Sequence, residues 1–421
     1  MLNAWFRKSI VFLIVFTQIN FVVGYPIDGY IRTGIRRLER LRLIMEGKMS
    51  GTMPVAGARK TVGEIRLRLQ NARGDSLDVL PSPDPELQKR IDALFPDRDE
   101  SYSLALLDIT PGRAMRFAQR KADALFSPGS VGKLLIAAGI FTELQRLYPD
   151  SEDRRLQVFR ERMVIADHWI RVDDHVIPVF DPENRSYQSR RIREGDVFSL
   201  FEWMDHMLSA SANAAGSMVW KEAMLMRAFG EAYPPSYEAE RSYFKSTPKK
   251  ILSEIAMSVV NDPIRLLDIG PEEWYLASFF TRDGKEVVPS GGRSCASPLA
   301  FLKFLIALER GRVVDAWSSL EIKRLMYMTA RRIRYASSPA LTDAAVYFKS
   351  GSFYRFKDEP GLKREQYTGN VENVMNSVVI VEHPDGRIYL VVLMSNVLRK
   401  NSAVEHQTLA TTIDRVIKRS L

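Results

Sequence analysis

Residues 126–139 read Phe-Ser-Pro-Gly-Ser-Val-Gly-Lys-Leu-Leu-Ile-Ala-Ala-Gly, and no other stretch leaves the chain fewer ways to fold. Pro128-Gly129 ends whatever strand precedes it, and the Leu/Ile/Ala run behind Lys133 propagates a helix, so Ser130 falls near a helix N-terminus. Residues i and i+3 share one helix face, which brings the Lys133 amine within reach of the Ser130 hydroxyl. A hydroxyl beside an amine is a candidate nucleophile and base, and the rest of the chain is expected to shape a pocket around the pair.

The 421 residues, 46% of them hydrophobic, suffice for one large domain with an appendage or for two domains. Lys and Arg number 60 against 51 Asp and Glu, a formal charge of +9, but the excess is local. Residues 25–75 hold eleven Lys/Arg against five Asp/Glu, and residues 1–24 add Arg7 and Lys8 without an acid. The body is therefore nearly neutral, which argues against a nucleic-acid partner. Cys295 is the single cysteine, so an intrachain disulfide, a zinc cluster and a thiol redox pair are all excluded; it reads as a small packing residue. Asp167-His168 and Asp173-Asp174-His175 match no metal-ligand spacing and read as polar loops, so neither a metal nor a cofactor is expected.

Along the chain, Arg7-Lys8, an apolar run and Val22-Val23-Gly24 give residues 1–24 the pattern of a cleaved secretory signal, the other reading being an uncleaved N-terminal anchor; either way the body is expected to be exported, periplasmic or extracellular, and tethered to the membrane in the second case. Residues 25–100 read as a basic extension and linker. Ile31, Ile35, Leu38, Leu41 and Ile44 lie at helical spacing with arginines between them, the pattern of a helix packed by one face. The other reading is a basic helix on an anionic membrane or cell-wall surface. The Pro/Asp-rich 80–85 reads as a linker. A hairpin is expected over 102–108 and 114–119, a loop-rich stretch over 145–195, and helices over 197–207, 297–308 and 319–328. Strands at 345–348, 376–382 and 387–395 and a helix over 403–419 close the chain. The class this implies is α+β, with an antiparallel sheet drawn from both chain ends, packed with helices, and an all-helical portion between.

Ser-x-x-Lys alone is weak, and the chain repeats it at Ser242–Lys245 and Ser246–Lys249 without an apolar helix behind. Only Ser130–Lys133 is followed in order by Ser211-Ala212-Asn213 and Lys349-Ser350-Gly351. In that order the three motifs, spread over residues 101–421, resemble the signature of the serine β-lactamases and penicillin-binding proteins, most nearly the class A-like β-lactamase domain. The resemblance implies Ser130, Lys133, Ser211, Asn213 and Lys349 as catalytic residues and Ser350, Gly351 and Ser352 as substrate-binding ones. The backbone N–H groups of Ser130 and Ser352 would hold the oxyanion. Physically, Lys133 can take the serine proton only when neutral, and burial with Lys349 nearby favours that state. Lys349 and Ser350 suit a substrate carboxylate.

Four features depart from the resemblance. Ala212 and Ser350 stand where an Asp and a Thr are usual, the stretch from Asn213 to Lys349 is longer than a compact class A enzyme would have, and the glutamate pattern that removes the acyl group in class A enzymes is not legible between Ala214 and Ser290; Glu272 and Glu273 are the nearby acids. Three functions follow as expectations: an exported hydrolase acylated at Ser130 by a β-lactam, a D,D-carboxypeptidase or transpeptidase-like enzyme acting on peptidoglycan peptides, or a non-catalytic wall-binding or sensor protein on the same fold. The oligomeric state stays open.

Overall fold

The structure is a computed structural model that describes residues 27–289, 291–327, 332–361 and 363–419; the signal expected over 1–24 lies outside them. Strands β1 (Ser103–Asp108) and β2 (Arg116–Arg120) make the early hairpin, and β3 (Ala345–Arg355), β4 (Glu372–Glu382) and β5 (Ile388–Asn396) come from the far end of the chain. They form one antiparallel sheet in the order β2-β1-β5-β4-β3, with Leu393 of β5 opposite Leu104 on one side and Ser377 on the other. β5 is buried on both faces, which explains its unbroken apolar run. The period-2 alternation of side chains then sorts the strands between two cores. Ala105, Leu107, Leu390, Val392 and Met394 face one, and Leu104, Leu106, Tyr389, Val391 and Leu393 face the other.

Helices position the rest, among them α1 (Arg36–Met45), α2 (Pro85–Asp92), α3 (Lys133–Leu147), α4 (Leu200–Leu208), α5 (Asn213–Phe229), α6 (Lys249–Arg265), α7 (Pro298–Glu309), α8 (Ala316–Met326) and α9 (Ala403–Arg419). Leu409, Ala410, Ile413 and Ile417 of α9 fill the smaller core with Leu87 and Ile91 of α2. The larger core is built around α3, whose residues from Leu134 to Phe141 are all buried, as a helix apolar on every side must be. Local chemistry sets the helix starts. Ser297 caps α7 with Pro298 in its first turn, and Ser199 and Glu202 form a capping box on α4. That box explains why the helix expected over 197–207 starts at Leu200, with Val197–Ser199 a short strand before it.

The segment expected to be a separate basic extension is part of the same body. Ile35, Leu38, Leu41, Ile65, Leu69 and Leu77 lie in the larger core. Arg37 is buried and pairs with Asp205 at 2.5 Å, Arg36 pairs with Glu202 at 2.8 Å, and Arg32 with Glu321 at 2.7 Å. These three arginines are neutralised from within, as the reading of a helix packed by one face expects. Ile31 is not in the stripe: Gly34 at φ +70° separates its short turn from α1, and Ile31 is 81% exposed. The expected linker at 80–85 instead covers a sheet edge, where Pro83 bridges to Phe117 and Asp84 caps α2. Residues 145–195 contain a helix, Glu152–Glu161, the short strand Met163–Ile165 paired with Val197–Ser199, and the hairpin Ile177–Asp181 with Ser186–Arg190. Among the described residues no helix is long and apolar enough to cross a membrane.

Candidate active site

The turn before α3 is pressed against the edge strand β3. Gly129 has φ +51°, and a Cβ there would stand 2.7 Å from the backbone N and O of Ser352. A Cβ on Gly351 would stand 2.4 Å from the Pro128 carbonyl. Only glycines permit this approach. From β4, Asn376 Nδ2 donates to the carbonyls of Ser127 at 2.9 Å and Pro128 at 3.1 Å, so the sheet grips the turn that carries Ser130. Ser130 lies in the 3-10 turn Gly129–Gly132, which runs directly into α3.

Lys133 is fully buried, and its Nζ has three oxygen neighbours: Ser130 Oγ at 2.9 Å, the Ser211 carbonyl at 2.6 Å and Asn213 Oδ1 at 2.8 Å. Two of these can only accept. A neutral amine has two N–H groups for them and one lone pair, which is then left for the Ser130 O–H. Burial drives the Lys133 pKa down and the charge of Asp173 partly restores it, leaving it at about 7. Lys349 Nζ donates to Ser211 Oγ at 2.8 Å and to the Ser350 carbonyl at 2.9 Å. The structure thus brings Ser130, Lys133, Ser211, Asn213 and Lys349 together, with Ser350, Gly351 and Ser352 along the adjoining strand.

Around Ser130 lies a cleft of about 740 Å³, continuous through Ser130 and Ser352 with a smaller hollow lined by Ser211, Lys349, Ser350 and Gly351. Arg334 lines that hollow, and sequence spacing gave no hint of it. It is buried at φ +52°, donates to the Gly351 carbonyl at 2.7 Å and stacks on Tyr367 with its guanidinium 5.0 Å from the ring centre. Lys349 and Arg334 make this end electropositive. Asp173-Asp174-His175, read as a polar loop, is a loop at the cleft wall: Asp174 and His175 line it, and Asp173 lies behind them. Among the described residues no group of three metal-ligating side chains could hold a metal ion.

The acids considered for releasing an acyl group are elsewhere. Glu273 accepts from Lys303 at 2.6 Å and from the Gly270 N–H at 2.9 Å, and neither it nor Glu272 lines the cleft. An aromatic ring lies against the lysine instead: the ring centre of Phe280, which lines the cleft, is 4.6 Å from Lys133 Nζ. The carboxylates lining the cleft, Asp174 and Glu372, face arginines: Asp174 pairs with Arg191 at 2.8 Å, and Glu372 lies 3.7 Å from Arg293 and 3.9 Å from Arg355.

Comparison with known proteins gives the family. A family model described as the beta-lactamase enzyme family matches residues 86–418. The chain belongs to that family. Among solved structures, this family member is similar to a class A beta-lactamase from Bacteroides cellulosilyticus DSM 14838 at 14% identity, covering 81% of this chain and 99% of that one with a TM-score of 0.50. It is similar to the TLA-3 extended-spectrum beta-lactamase at 12% identity, covering 79% and 98%, also with a TM-score of 0.50. PBP-A aligns at 13% identity over 81% and 98% with a TM-score of 0.48. At these identities the likeness concerns the β-lactamase/transpeptidase fold. No curated protein matches the sequence.

Proposed function

We propose that this beta-lactamase family member is an active-site-serine enzyme that opens amides carrying a nearby carboxylate, β-lactams among them, by forming an ester on Ser130. The observation that carries the reading is the buried Lys133 amine, held by two obligate acceptors with its remaining valence on Ser130 Oγ. In the first half-reaction Ser130 Oγ bonds to the carbonyl carbon while its proton passes to Lys133 Nζ. Charge gathering on the carbonyl oxygen is received by the backbone N–H groups of Ser130 and Ser352. The C–N bond then breaks, and the proton held on Lys133 reaches the departing nitrogen by way of Ser211 Oγ. Lys349, Ser350 and Arg334 receive the substrate carboxylate.

Release is the slow half. Hydrolysis needs water to bond to the ester carbon and give up a proton to a base, yet the group beside Lys133 is the phenyl ring of Phe280 and the carboxylates lining the cleft, Asp174 and Glu372, face arginines. Phe280 therefore favours the penicillin-binding, D,D-peptidase-like reading over rapid β-lactam hydrolysis. The natural substrate is then a peptide ending in a carboxylate, and export through residues 1–24 would place the cleft among cell-wall peptides of that kind.

Intact-mass measurement over time after adding a penicillin tests both halves. One equivalent of adduct that forms on the native protein, persists for many minutes and is absent from Ser130→Ala is the expected result. A folded protein that never gains the adduct, or a Ser130→Ala variant that gains it equally, overturns the nucleophile. Rapid turnover without accumulation overturns slow release.

A further inference from the structure

α5 carries the second motif at its start and has an alanine where helices normally place a capping side chain. Ala212 occupies the N-cap position with extended backbone, φ −60° and ψ 128°, and contributes no side-chain bond. The missing acceptor comes from a loop far away in sequence. Asp173 Oδ2 accepts from the Ala214 N–H at 2.8 Å, while Oδ1 accepts from the His175 backbone N–H at 3.1 Å and lies 2.6 Å from His175 Nδ1. Both oxygens are thus used, one for the helix and one for the loop. The loop is held in a costly shape to do this, since Val172 just before it has φ +67°, a conformation that a β-branched residue rarely adopts. At the other end Ser211 has φ +62°.

We propose that Asp173 is the positioning residue of the acylating site, a cap supplied from outside the helix that fixes Ser211 and Asn213 around Lys133 and sets the charge felt by its amine. The inference rests on the function proposed above. Its structural chain is short: Asp173 holds Ala214, the adjoining Asn213 holds Lys133 through Oδ1, and Ser211 holds it through its carbonyl. Burial pushes the Asp173 carboxyl up, but the His175 ring and the N–H groups of Ala214 and His175 more than offset this, so it stays ionised. The charged groups gathered at this end of the cleft are Lys133, Lys349, Arg334, Asp174 and His175. Asp173 is the carboxylate whose charge opposes the loss of the proton from Lys133.

Three variants separate cap from charge. Asp173→Asn keeps an acceptor for Ala214 and removes the charge, so Lys133 loses its proton at lower pH and the acid limb of the acylation profile moves down. Asp173→Ala removes both, and acylation by a fluorescent penicillin falls on the order of a hundredfold, the scale of a small misplacement of reacting groups. Asp173→Ala with Ala212→Asp returns a carboxylate to the N-cap and recovers most of the rate. Two substrate-free readouts accompany these: NMR titration of the Lys133 amine and hydrogen exchange at the Ala214 amide, expected to shift down and to speed up respectively in Asp173→Ala. Native protein that titrates as described but is never acylated would refute the proposed function and leave the positioning role standing. Equal rate, equal midpoint and equal exchange in Asp173→Ala overturn the inference. So does equal loss in Asn and Ala variants with an unmoved Lys133 midpoint, because packing alone would then account for it.

Discussion

Lys133 is the residue on which the chemistry turns, and its identity is testable apart from its charge. Lys133→Arg keeps a cation but cannot give it up, since a guanidinium stays protonated throughout the accessible pH range. Acylation by a fluorescent penicillin should fall by about 10² to 10⁴, the usual worth of a positioned base. In the native protein the acylation rate should rise with pH through about 7, the value to which burial brings the lysine. The direction follows from the sign: the reactive form is the neutral one, so rate is lost below that value. A stopped-flow pH series checks it. Phe280→Glu puts a carboxylate beside the same amine, and the penicillin adduct should then decay faster in the mass time course. Ser130, Lys133, Asn213 and Lys349 were legible because their order along the chain survives in the fold. Asp173, Arg334 and Asn376 were not, because each acts on the site through a partner outside its own segment (Ala214, Gly351, and Ser127 with Pro128), and a lone Asp, Arg or Asn carries no local pattern that marks it.

Among the elements, the contact between β3 and the serine turn is the one with no slack. Gly129→Ala would drive a methyl into the Ser352 backbone at a φ that alanine avoids, and Gly351→Ala would drive one into the Pro128 carbonyl. Each should lower stability by about 1–3 kcal/mol and abolish acylation, measured by denaturant unfolding beside adduct formation. α1 supplies a second test. Arg37 and Asp205 are both buried, so Arg37→Ala should cost about 3–5 kcal/mol by leaving a carboxylate unpaired, whereas Arg37→Met with Asp205→Leu should cost far less. α1 was readable as an amphipathic helix because its apolar spacing is local. Its partner was not readable, since sequence shows arginines between the apolar residues without showing that Glu202, Asp205 and Glu321 answer them from other helices. The short strand at Val197–Ser199 was missed for the same reason: its pairing partner, Met163–Ile165, lies across a long insertion.

For the molecule as a whole, the N-terminal segment should prove inseparable from the remainder. The six apolar side chains between Ile35 and Leu77 that lie in the larger core contribute on the order of 10 kcal/mol at roughly 2 kcal/mol each, comparable with the entire stability of a typical domain. A protein lacking residues 27–77 should show no cooperative thermal transition by circular dichroism. The two-ended sheet was legible from its hairpins, but its strand order was not, because nothing local says that β5 lies between β1 and β4. That order leaves β2 and β3 as the outer strands, the positions from which sheet proteins polymerise. β2 is masked by Pro83 and α2, and β3 is occupied at Tyr347 by a bridge from Tyr327 and at Gly351 and Ser352 by the serine turn. The reactive groove is therefore also the place where strand-to-strand aggregation is blocked. Loosening the turn to widen the groove for bulkier substrates would expose sticky backbone, so variants selected for broader reactivity should also precipitate more readily.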